Sequence, residues 1–145
     1  VWGHEEARVP SLLGNVVFKK VDFTNTWENE PDECVEWSAG SINLVVTHSP
    51  GHAPGHVTFH GHGVYHAGDL LFVRSAGRVD LPGGDPSAQQ RSLVRAKELL
   101  SGLPADWRLI PGHRYDDFRG EVPDWISLGD ALQHNYFLAH ITMPE

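Results

Sequence analysis

The sequence predicts an α+β fold, a sheet covered by a helix or two, and three observations point there. Apolar, β-type runs at residues 42–46, 64–67 and 109–110 each lead into a tight glycine-containing turn. Residues 56–60 and 63–67 flank Gly61-His62 in the manner of a short hairpin. Asp85-Pro86 opens a helical pattern, with Asp placed to cap and Pro at the first helical position.

The elements follow in chain order. Residues 15–23 set Val17, Val21 and Phe23 against Lys19 and Asp22, the alternation of a half-buried strand. Residues 24–36 carry Glu28, Glu30, Asp32, Glu33 and Glu36, which predicts a solvated surface loop, with part of the site's rim as the alternative. A buried strand at 42–47 and the hairpin come next. Residues 70–85 show little periodicity, and a long connection of that kind is often functional. The helix runs from 86 to about Leu100, with Leu93, Ala96, Leu99 and Leu100 on the face that packs on the sheet. Ser101-Gly102 ends it and Pro104 prevents its continuation. A final helix is expected over 123–138.

Composition bounds the rest. A chain of 145 residues with 40% hydrophobic content suits one packed domain, and 10 Pro with 15 Gly imply many turns. A net charge of −8 speaks against a nucleic-acid partner. No apolar run approaches the roughly 20 residues of a membrane span. The single cysteine, Cys34, excludes an intramolecular disulfide and fits a reducing cytoplasm, which is the expected location. Flanked as it is, Cys34 is expected to be inert.

The chemistry lies in three turns. Thr47-His48-Ser49-Pro50-Gly51-His52-Ala53-Pro54-Gly55-His56 is followed by Ala67-Gly68-Asp69 and then by Pro111-Gly112-His113. Strands ending there deliver His52, Asp69 and His113 to one edge of a sheet. Neutral imidazole and ionised carboxylate are the usual ligands of zinc and non-haem iron, and manganese accepts the same set.

These residues, together with Ala67-Gly68-Asp69-Leu70-Leu71-Phe72, Gly77-Arg78-Val79-Asp80-Leu81-Pro82-Gly83-Gly84-Asp85 and Leu109-Ile110-Pro111-Gly112-His113-Arg114, resemble the later motifs of the metallo-β-lactamase superfamily. The nearest branch is that of the glyoxalase II-like hydrolases. The likeness runs from about Val1 to Tyr115, with a weaker echo at His134-Asn135-Tyr136-Phe137-Leu138. It implies a four-layer αββα sandwich, of which residues 1–145 form the later part as a single partial domain. The family's His-x-His-x-Asp-His is not in this sequence, and Val1–Glu6 is similar to the strand and turn that follow it. The chain is therefore expected to be the C-terminal two-thirds of a domain, with the activity belonging to the intact protein; the alternatives are a degenerate, non-catalytic descendant, and an isolated chain that is a non-catalytic fragment with a half-built metal site. One sheet face should then expose apolar area, which favours association with the missing N-terminal segment or a homo-oligomer.

By position, the resemblance makes His52, Asp69 and His113 metal ligands, with Asp69 the catalytic carboxylate bridging two metals. His48 and His56 flank the ligand turn and are expected to support it. Asp80 would either orient a ligand histidine or stabilise its own turn. Arg78 would anchor the loop or touch an anionic substrate group, and Tyr115 with Arg114 would line the pocket. His134 is expected to serve packing or the surface, with the site mouth as the alternative. The activity implied is metal-dependent hydrolysis of a small thioester or ester, with a metal-bound hydroxide as nucleophile. The cofactor implied is a divalent metal, zinc before iron or manganese, two per intact domain. A mononuclear-iron sulfur dioxygenase and a lactonase are the other enzyme readings.

Overall fold

A computed structural model describes residues 2–8, 12–13, 16–17 and 25–142. Its strands are β1 (Trp2–His4), β2 (Leu12–Leu13), β3 (Val16–Val17), β4 (Asn25–Trp27), β5 (Cys34–Ala39), β6 (Ile42–His48), β7 (Val57–Gly61), β8 (Val64–Gly68), β9 (Arg108–Pro111) and β10 (Ile126–Ser127). Its helices are α1 (Pro86–Gly102), α2 (Leu128–His134) and α3 (Tyr136–His140), and a 3-10 turn covers Glu5–Arg8. Six strands form one mixed sheet in the order β10-β9-β8-β7-β6-β5. The β8–β9 pair is parallel, and the long crossover such a pair requires contains α1.

Alternation along β8 sets the two faces of this sheet. Tyr65 and Ala67 are buried against Leu93, Ala96 and Leu100 of α1, together with Leu128, Ala131 and Leu138 from α2 and α3. Full burial of each leucine contributes about 1.5–3 kcal/mol. Val64 and His66 point the other way, into an apolar hollow of ≈ 530 Å³ shared with Trp2, Trp27, Trp37, Leu44 and Phe59. The parallel β1–β4 pair lies on that side, its Trp27 ring 5.2 Å from Trp2 and 5.7 Å from Phe59. Trp2 is still 43% exposed, which leaves apolar surface open among the described residues. The α+β class is as expected from the sequence.

The helix begins as predicted. The Asp85 carboxylate accepts from the backbone N–H groups of Ser87 and Ala88 at 2.8 and 3.0 Å. Three local expectations need correction. Residues 24–36 are not all loop: β4 and the start of β5 lie within them, and Glu36 sits on the exposed side of a strand whose Val35 and Trp37 face inward. The hairpin turns one residue later than expected, at His62-Gly63, where positive φ values of 51° and 79° form the mirror-image turn that matches strand twist; Gly61 still pairs with Val64. The expected helix over 123–138 divides into β10, α2 and α3, because Ser127 caps one helix and Asn135 interrupts the run to cap the next. Of the strand expected at 15–23, Val16–Val17 pairs with Leu12–Leu13, and the remainder lies outside the described residues. No helix among the described residues is long and apolar enough to cross a membrane.

Candidate metal centre

The turns after β6, β8 and β9 meet at one end of the sheet. The backbone N–H of Gly112 donates to the carbonyl of Gly68 at 2.7 Å, and that of Asp85 donates to the carbonyl of Gly51 at 2.8 Å. Closeness of backbones explains two glycines. A Cβ on Gly112 would stand 2.6 Å from Oδ1 of Asp69, and one on Gly77 would collide with the Asp69 carbonyl.

His52, Asp69 and His113 are brought together as the sequence suggested. The two oxygens of Asp69 are divided between the histidines, with Nε2 of His52 3.3 Å from Oδ2 and Nε2 of His113 3.3 Å from Oδ1. No three His, Cys, Asp or Glu side chains among the described residues converge on one metal position. The arrangement is two pairs sharing a carboxylate.

The donor set fits a divalent ion on three grounds. Nδ1 of His52 lies 2.8 Å from the carbonyl of Arg78, which can only accept, so the ring's proton in its neutral form is at Nδ1. With the ring neutral, Nε2 then turns a lone pair toward a carboxylate, an arrangement that a cation bound between the two would satisfy. Oδ1 of Asp69 is buried and has no hydrogen bond, although His113 is near. Two ligands about 2.0–2.1 Å from a tetrahedral ion stand about 3.3 Å apart, the spacing found in both pairs.

His56 supports this arrangement from behind. Its Nε2 accepts from the backbone N–H of Asp69 at 2.9 Å, and Nδ1 faces the Ser49 hydroxyl at 3.2 Å. Burial drives its pKa down to about 4, against a smaller opposing pull from Asp69. The ring is neutral at pH 7. His48 works differently: its Nε2 donates to the carbonyl of Pro54 at 2.7 Å, tying the ends of the ligand turn. It also stacks on His4, ring centroids 3.7 Å apart and planes within 18°. His4 is 2% exposed, donates from Nε2 to the carbonyl of Asn29 at 2.9 Å, and has its pKa lowered by burial and by its neighbour His48.

A cleft of ≈ 290 Å³ opens over the three candidate ligands, lined also by Phe72, Ser75, Ala76, Arg78 and Tyr115. Phe72 stands edge-on to Tyr115 and to His113, at 5.0 and 5.7 Å between centroids. Arg78 contributes its carbonyl to His52, while its guanidinium is held by Asp80 through two bonds of 2.7 Å. Asp80 thus faces Arg78, and the pair holds the Asp80 carboxyl at a pKa of about 2. Arg114 pairs with Asp124 at 2.9 Å. His134 stacks on Phe118 at 4.0 Å instead of lining the cleft. Cys34 is exposed, with Sγ 3.2 Å from the Thr47 hydroxyl.

Phe72, His4 and Asn135 were not singled out in the sequence. Phe72 had a signal, since it closes the Gly-Asp-Leu-Leu-Phe run of the second turn. Asn135 fell within the weaker echo at 134–138 with no role attached, and its bonds to Phe72 and Ser75, like the contacts of His4, are distant in sequence.

Comparison with known proteins places the chain. Residues 2–113 match the family model described as Metallo-beta-lactamase superfamily. The chain is 37% identical over 148 aligned residues to Hydroxyacylglutathione hydrolase GloC of Haemophilus influenzae, covering 95% of this chain and 63% of that protein. It spans about a third of the length of other curated hydroxyacylglutathione hydrolases that it matches, 34% and 32% for two of them. Among solved structures it is similar to BLEG-1 B3 metallo-beta-lactamase, with a TM-score of 0.71, 27% identity, and coverage of 94% of this chain and 64% of that one. It is also similar to TTHA1623 in a di-iron-bound form, at 43% identity and a TM-score of 0.51, covering 66% of this chain and 42% of that one.

Proposed function

The chain belongs to the metallo-beta-lactamase superfamily, in the branch related to glyoxalase II and the hydroxyacylglutathione hydrolases, and on that premise we propose that it hydrolyses a small thioester or ester with divalent metal at His52, Asp69 and His113. The observation that carries this reading is the division of the Asp69 carboxylate between two histidines, each at 3.3 Å. It supports a reading in which Asp69 would serve two metals, one with each histidine. Zinc is the first choice for histidine and carboxylate donors, and iron is the alternative, the metal named for TTHA1623.

Metal bound there supplies Lewis-acid activation of water and of a substrate carbonyl. The chain's own residues prepare the place. The Arg78 carbonyl accepts a hydrogen bond from Nδ1–H of His52, which leaves the Nε2 lone pair free for a metal. His56 fixes the backbone of Asp69, and Phe72 and Tyr115 give the acyl or thiol part of the substrate an aromatic wall. The Arg78 guanidinium stays engaged by Asp80, which supports its loop-anchoring role over that of a substrate grip. The same reading extends to the fold: the aromatic face of the sheet opposite the helices is the face a second sheet would cover in a four-layer αββα sandwich.

The test is thiol release from a hydroxyacyl-glutathione thioester by metal-stripped protein before and after zinc is restored. Zinc-dependent turnover that His52→Ala abolishes is expected. No metal-dependent thiol release would sink the proposal, and oxygen uptake with an iron-loaded sample would favour the dioxygenase.

A further inference from the structure

The break between α2 and α3 places a buried amide under the wall of the cleft. Asn135 is 0% exposed. Its Nδ2 donates to the carbonyls of Phe72 and Ser75, both at 2.9 Å. Its Oδ1 accepts from the backbone N–H groups of Phe137 and Leu138, at 3.0 and 3.2 Å. Two donors and two lone pairs exhaust the bonding capacity of a carboxamide. The orientation is also unambiguous, because a flipped amide would set its NH₂ against two N–H groups and its oxygen against two carbonyls. Next door, the backbone N–H of Tyr136 donates to the carbonyl of Arg74 at 3.0 Å. The segment so held is a turn, closed by the Phe72 N–H on the Ser75 carbonyl at 2.8 Å. Phe72 and Ser75 both line the cleft, and the Phe72 ring stands against His113 and Tyr115.

We infer that Asn135 is a positioning residue for the substrate cleft: it clamps the 72–75 turn from below and so sets the aromatic wall beside His113. The inference rests on the proposed reading only in taking the cleft as the place where substrate sits. No other side chain of this size combines two donors for the turn with an acceptor for the helix cap. Asp keeps the cap and loses the donors. Ser keeps the cap without charge and is too short to reach the turn.

Amide hydrogen exchange on the metal-free protein tests it. Asn135→Ser and Asn135→Asp should each lower the protection of the Phe72 amide at least 10-fold at pH 7.5, with the Phe137 and Leu138 amides within 3-fold of the parent. Unchanged protection at Phe72, or equal loss in turn and helix, overturns the inference. Where neither variant folds, the parent decides: Asn135 side-chain protons should exchange as slowly as the Phe72 amide, and rapid exchange overturns the idea. On the thioester, Asn135→Ser should raise KM about 5-fold with kcat within 2-fold; lost protection with an unchanged KM also overturns it. Absence of any turnover in the parent counts instead against the proposed reaction and leaves the exchange result standing.

Discussion

The backbone N–H of Asp69 donates to Nε2 of His56 at 2.9 Å, so a histidine whose ring stands edge-on to His52 fixes the backbone of the residue whose carboxylate His52 and His113 share. With Nε2 an acceptor, the proton of the neutral ring is on Nδ1, where it donates to the Ser49 hydroxyl. The second turn is thereby locked to the first. His56→Ala should weaken zinc affinity about 10–100-fold, the range for outer partners of metal ligands. Competition against a chromophoric chelator measures this. Affinity within 2-fold of the parent would remove His56 from the account.

Backbone and side chain of the 77–80 loop should separate cleanly. Arg78 serves His52 through its carbonyl, and its guanidinium pairs with Asp80 on the surface. Arg78→Ala should therefore keep zinc affinity within about 3-fold, well short of the loss expected when a ligand's partner is removed. Gly77→Ala drives a Cβ into the Asp69 carbonyl and close to Nδ1 of His52, and should abolish tight binding. The same titration on both variants checks the contrast. Equal losses would place the guanidinium itself in the site.

Crowding at the third turn gives a parallel expectation. A Cβ on Gly112 would meet Oδ1 of Asp69 at 2.6 Å, with the carbonyl of Gly68 at 3.0 Å. Gly112→Ala should displace the carboxylate and lower both metal affinity and thermal stability, the latter within the usual range of about 0.5–3 kcal/mol for a single substitution. Unaltered affinity would show that Oδ1 has no place in metal binding.

The stacked pair His4–His48 predicts a dependence on pH. His4 has its pKa lowered below 6.5 chiefly by burial, with a smaller push from His48, against the opposing hydrogen bond to the Asn29 carbonyl and weaker pulls from Glu5 and Glu6. The unfolded chain then binds the proton more readily, so this contribution to stability is full above about pH 6.5 and is lost as pH falls below it. Urea midpoints between pH 7.5 and 5 should decline less steeply in His4→Phe than in the parent. Parallel slopes would show that His4 does not titrate this way.

How much of this was legible in the sequence depends on where each partner lies along the chain. Gly-His, Gly-Asp and Gly-His turns after apolar runs are local, so the convergence of His52, Asp69 and His113 could be read from residues 47–56, 67–69 and 111–113 alone. The cap at Asp85 was legible for the same reason. Asn135 was not, because its amide answers carbonyls of Phe72 and Ser75, and carbonyls leave no mark in a sequence. The same holds for Arg78, whose side chain drew the attention while its backbone meets His52. The acidic stretch at 24–36 read as loop because charge masked the alternation of Val35 and Trp37.

The most direct test is metal content per chain, by plasma mass spectrometry after gel filtration, for the parent, His52→Ala, His113→Ala and Asp69→Asn. A carboxylate shared between two metals predicts about two ions per parent chain, the loss of one in each histidine variant and the loss of both in Asp69→Asn. A parent near zero, or histidine variants that each lose both ions or neither, would contradict the shared site.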